Sequence, residues 1–284
     1  MPLLCAVYID LPNPFQAYLF ATINYNQRPV NKSQTYELYG YNLEEEPPDA
    51  WSPEKTAVFL CRKLNTDRAS VFRNHIIVAA QSDIAVELAA ESIKQEWAVS
   101  TATIVGGLLR LFSTNPKRDR DFMHRKEMGK GRSRQLLATG EQLDRTPLRD
   151  YYLKGNDLLI VTITQNYFNA AADVLWGDAH AAADKLIVDA RRSYIRKTVG
   201  IQALFDVLRS LCTEAIAAKD VSQKYFAGRL SRCRSIDFSD NFFQASGTGR
   251  QRIRNALEFS IGLKSADSLP PCDLSDYARL CSTN

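Results

Sequence analysis

In the C-terminal half, Ile201, Leu204, Phe205, Leu208, Leu211, Cys212 and Ala215 recur at intervals of three and four. Only an α-helix with one buried face brings such a set together. The spacing returns at Phe168, Ala171, Ala172 and Leu175, and again at Ile253, Ala256, Leu257 and Ser260. The last group follows a Ser246-Gly247-Thr248-Gly249 turn that suits a helix start. From Gln81 onward the texture is almost wholly helical, with no internal repeat. Apolar residues make up 45% of the chain and charged residues 24%, enough for a packed core and unlike a disordered composition.

The front of the chain reads differently. Leu3-Leu4-Cys5-Ala6-Val7-Tyr8-Ile9 is a near-continuous apolar run, expected to be a strand buried on both faces. Such a strand needs neighbours on each side, yet the residues that follow read as helical. The missing strands are therefore expected upstream of Met1, and the open edge favours self-association into a homo-oligomer. A helix is expected from Pro14, capped by Asn13, to about Tyr25. A shorter one begins near Asn31-Lys32-Ser33 and stops at Gly40. Asn42 to Pro53 reads as a solvated loop, Pro53 to Leu64 as a helix and Ile76 to Val78 as a strand. The expected fold class is thus α/β at the front, residues 1–80, joined to a mainly helical domain, residues 81–284.

The stretch Phe20-Ala-Thr-Ile-Asn24-Tyr-Asn-Gln27-Arg28-Pro29-Val30-Asn31-Lys32-Ser33, with Tyr36-Glu37-Leu38-Tyr39-Gly40, resembles the segment after the signature motif of DGQHR-domain proteins. Lys63-Leu64-Asn65, the Lys197 to Leu204 stretch and Ser246-Gly247-Thr248-Gly249-Arg250 extend the resemblance in the same order. The pentapeptide Asp-Gly-Gln-His-Arg itself does not occur, so the chain looks like the back two-thirds of such a protein. The resemblance implies a partial ParB/sulfiredoxin-like core and a link to DNA phosphorothioation, related DNA modification and phage defence. It implies DNA or a nucleotide, and other proteins of such a locus, as partners. In ParB-like proteins the comparable stretch reads ENxQR; here no acidic residue stands beside Asn24. The expected function is a nucleic-acid- or nucleotide-binding accessory protein. The alternatives are a nucleotide hydrolase or DNA-processing enzyme whose catalytic motif lies upstream, and an inactive partner-binding remnant.

Three places carry candidate ligand chemistry. Asn24, Gln27 and Arg28 offer amide and guanidinium donors to a phosphate or base; the alternative is that Asn24 and Gln27 cap the helix and order the turn before Pro29. Ser246, Gly247, Gly249 and Arg250 make either an anion site at a helix N-terminus or an ordinary glycine turn. Between Lys117 and Arg134 stand eight Lys and Arg against three Asp and Glu, a local +5 in a chain of net charge +4. Lys117, Arg118, Arg120, Arg125, Lys126, Lys130, Arg132 and Arg134 are the candidate nucleic-acid contacts, against the alternative of a solvated charged loop.

The six cysteines show no CxxC pair and no zinc-finger spacing. His75, His124 and His180 stand apart from any nucleophile motif, and there is no GxSxG, HExxH or P-loop. No cofactor is indicated. The start lacks a basic secretory n-region and the longest apolar stretch, Thr101 to Phe112, contains Arg110 and is too short for a bilayer. A soluble, cytoplasmic setting with no membrane partner is the expectation.

Overall fold

The structure is a computed structural model that describes residues 31–40, 46–78, 97–125, 133–139, 144–176 and 193–281, with 9–12, 15–16, 19 and 43. The strand expected at Leu3–Ile9 and the helix expected from Pro14 fall almost wholly outside those residues. Chain order gives α1 (Lys32–Tyr39), α2 (Pro53–Thr66), β1 (Ile76–Ile77), β2 (Val99–Ser100), α3 (Thr101–Phe112) and α4 (Pro116–Arg125). There follow α5 (Arg149–Leu153), α6 (Asp157–Leu175), α7 (Thr198–Ala217), α8 (Gln223–Leu230), α9 (Gly247–Ser260) and α10 (Leu274–Cys281). The described fold is mainly helical, with a single parallel pair of short strands, Ile76 beside Val99 and Ile77 beside Ser100.

Local chemistry explains these boundaries. The Asn31 side chain accepts from the Ser33 amide at 2.9 Å and starts α1, which ends at Gly40 as its spacing suggests. Ser52 and Ser100 cap α2 and α3 in the same way, accepting from Lys55 and Thr103. Among the described residues, the outer edge of β1 meets a side chain. Asn65 accepts from the Ile76 amide at 3.1 Å and donates to the Ile76 carbonyl at 3.4 Å, standing in for a strand. Apolar faces then merge. One core runs from Tyr39 to Leu280, so elements on both sides of residue 80 share it. At its centre the rings of Phe72, Phe168 and Phe205 follow one another with centroids 4.8 and 4.7 Å apart.

The contact of α3 with α7 is unusually close because Gly107 has no side chain there. A Cβ at Gly107 would lie 2.3 Å from the Phe205 ring. This fit fixes how the helices slide past each other, and one turn further on it brings Arg110 to Asp206 at 3.6 Å.

Among the described residues, three arginines lie inside the fold, each with a carboxylate. Arg134 has no exposed surface. It forks onto both oxygens of Asp157 at 2.6 and 2.9 Å and donates to Thr56 Oγ1 and the Trp51 and Tyr152 carbonyls. Arg149 donates to Asp119 at 2.6 Å, which also accepts from the Ser113 hydroxyl at 2.6 Å. Arg120 donates to Glu54 Oε1 at 2.5 Å and to the Tyr39 hydroxyl at 2.6 Å. The second Glu54 oxygen is buried with no hydrogen-bond partner among the described residues, and burial pushes this carboxyl up to about 7 against the opposing pull of Arg120.

These pairs overturn part of the expected nucleic-acid face. Arg120 and Arg134 point into the protein, where burial without a carboxylate would leave an uncompensated charge. Lys117 and Arg118 are exposed on the first turn of α4. Lys126, Lys130 and Arg132 lie outside the described residues, as does the side chain of Arg125. Replacing Arg134 with Met should destabilise the protein by about 3–5 kcal/mol, because Asp157 is left buried and unpaired. Adding Asp157→Leu should recover most of that loss. Urea denaturation of both variants measures it; a cost as small as that of a surface substitution would show that the fork is not buried.

Candidate anion-binding site

The helix α9 begins where its glycines suggest. Ser246 is extended, and its hydroxyl accepts from the Gly249 amide at 3.1 Å. That bond uses one of the amides a bound anion would need, so Ser246 and Gly249 serve the cap. Gly249 also has a packing role: a Cβ there would overlap the Gln244 carbonyl oxygen at 1.7 Å. Gly247, by contrast, faces open space. Asn24, Gln27 and Arg28 lie outside the described residues.

Arg250, one turn into α9, reaches α7. Its Nε and Nη2 donate to the two Asp206 oxygens, each at 2.8 Å. Asp206 is also the nearest carboxylate to Arg110 of α3, whose Nε lies 3.6 Å away, too far for a hydrogen bond. Arg110 Nε and Nη2 are buried without a hydrogen-bond partner among the described residues. Burial, helped by neighbouring Arg250 and Arg209, pulls the Arg110 guanidinium below its ordinary pKa, while Asp206 acts the other way. Arg209 lies one turn along α7 from Asp206 and is exposed. A single carboxylate thus stands among three guanidinium groups drawn from three helices.

The same seam continues along α9. Arg254 donates to Glu258 at 2.9 Å, one turn on, and Lys264 lies 3.0 Å from the other Glu258 oxygen. Ser210 of α7 donates to Glu258 at 3.1 Å and stitches the helices together. Arg252, also on α9, turns away to Asp273 at 2.8 Å and packs over the Phe242 ring. Arg229 pairs with Glu214 at 2.7 Å.

Of the described residues singled out in the sequence, only Arg250 belongs to this cluster. Arg110, Asp206 and Arg209 were not among them. The one available signal was Arg110, a lone charge inside the apolar run Thr101 to Phe112. His75 stacks on Trp97 with ring centroids 4.2 Å apart, a packing role. Among the described residues, no group of three or more His, Cys, Asp or Glu side chains could hold a metal ion. None of the described helices is long and apolar enough to cross a membrane. No protein-family model, curated protein or solved structure matches this chain.

The two glycines of the turn make separable predictions. Gly249→Ala should destabilise the protein by about 1–3 kcal/mol, the usual cost of forcing an atom into filled space. Gly247→Ala should be neutral or stabilising by up to about 1 kcal/mol, since alanine is the better helix former. Thermal melts of both variants check this, and equal effects would mean that Gly249 is not packed against Gln244.

Proposed function

We propose that this chain is a nucleic-acid- or nucleotide-binding accessory protein of a DNA-modification or phage-defence locus. On this reading it acts in the cytoplasm with other proteins of that locus. Its front is a partial ParB/sulfiredoxin-like core carrying Asn24, Gln27 and Arg28 as further hydrogen-bond donors to phosphate. The ordered resemblance to DGQHR-domain proteins supports the biological setting. The observation that carries the chemistry is the arginine cluster on α3, α7 and α9. Arg110 and Arg250 share one carboxylate, Asp206, with the exposed Arg209 charge beside them, and two nitrogens of Arg110 lack a hydrogen-bond acceptor among the described residues. A phosphate oxygen at the outer edge of this cluster meets surplus positive charge, and guanidinium groups match its geometry.

Fluorescence anisotropy with labelled single-stranded and duplex DNA, and calorimetry with ATP, test the reading. The protein should bind at least one of these phosphates at low salt. Arg209→Ala should weaken binding several-fold without changing the melting temperature, because the side chain is exposed. For duplex DNA the slope of log affinity against log salt should fall by about 0.9 if one phosphate contact is lost. Absence of binding to all of these ligands at low salt would end the reading.

A further inference from the structure

Ion pairs usually cancel their charges toward solvent, but along the α7–α9 seam the partners lie at different depths. The side chains of Arg110, Arg250, Arg254 and Lys264 are 34%, 30%, 35% and 22% exposed. Their carboxylate partners are deeper, Asp206 at 13% and Glu258 at 3%. Adding exposed Arg209, five cations stand over two deeper anions, a local excess of +3. Beyond this stretch, Glu214 on α7 is 42% exposed against 34% for its partner Arg229, so that pair presents no such excess.

The cations also form a row. Arg250 and Arg254 stand one turn apart on one face of α9, and Glu258, one turn further on, holds Lys264 at 3.0 Å. At 1.5 Å per residue, Arg250 to Glu258 covers roughly 12 Å. A strand laid along that length meets more than one of its phosphates in succession. A free nucleotide would engage one end of such a row, whereas a strand would engage all of it.

From this depth ordering and spacing we infer that the α7–α9 seam is a track for the phosphate backbone of a nucleic-acid strand, with contacts independent of base sequence. The inference rests on the proposed phosphate binding and narrows its ligand to a polymer. Asp206 and Glu258 hold the guanidinium groups in line from beneath, and the outward nitrogens meet successive phosphates. The depth ordering is a consequence of side-chain length, since short carboxylates stay near the helix while arginine reaches past them.

Single-stranded thymidine and adenosine oligonucleotides of about two, four, eight and sixteen residues, with ATP as the mononucleotide, supply the test at fixed low salt. Affinity should climb steeply until the strand spans the row and rise only slowly beyond it. Both base compositions should behave alike, and excess ATP should not displace the longer strands. Arg209→Ala and Lys264→Ala should each weaken the long strands several-fold and leave the shortest one least affected. If ATP binds as tightly as the longest strand and competes with it, the track is refuted while phosphate binding stands. A strong preference for one base composition would also refute it. If neither ATP nor any strand binds, the functional reading falls together with the track.

Discussion

A guanidinium with no exposed surface, forked onto Asp157, fixes the side of the fold where α2, α5 and α6 meet. Arg134 makes further bonds to Thr56 and to the Trp51 and Tyr152 carbonyls, so the cost of burying its charge is offset at several points. Arg149 with Asp119, and Arg120 with Glu54, add similar ties from α5 and α4. Together they consume two of the cations that make the Lys117 to Arg134 segment look basic. Charge in this protein is therefore divided by depth: some arginines fasten the helices, and others stand on the surface.

The second group owes its position to apolar packing. Because Gly107 admits the Phe205 ring, α3 and α7 approach closely enough for Arg110 to face Asp206. The α7–α9 contact then brings Arg250 to the same carboxylate from the other side. Removing the Gly107 gap would push the helices apart and separate these groups. The cluster is thus a product of core geometry and long side chains, and it needs no dedicated loop.

Much of the helical fold was legible because its signals are local. Three- and four-residue spacing marked α6, α7 and α9, while Asn31 and Gly40 marked the ends of α1. Ile76 was readable as a strand residue, although nothing nearby announced that Asn65 would close its edge. The inward turn of Arg120 was not legible, since its partner Glu54 lies 66 residues away. Arg134 likewise answers to Asp157, 23 residues on. A charge count along the chain cannot see such partners, so it overstated the basic segment. The arginine cluster was hidden for the same reason, with Arg250 and Asp206 separated by 44 residues. Asn24, Gln27 and Arg28 lie outside the described residues, and their role rests on the resemblance alone.

Labelling with an arginine-selective dicarbonyl, read by peptide mass spectrometry, tests the division between inner and outer arginines most directly. In the native protein Arg209 and Arg250 should react and become protected when a single strand is bound, while Arg134 stays unreactive throughout. Native reaction of Arg134 at the rate of Arg209, or a bound strand that shields Arg118 and leaves Arg209 unchanged, would contradict the division.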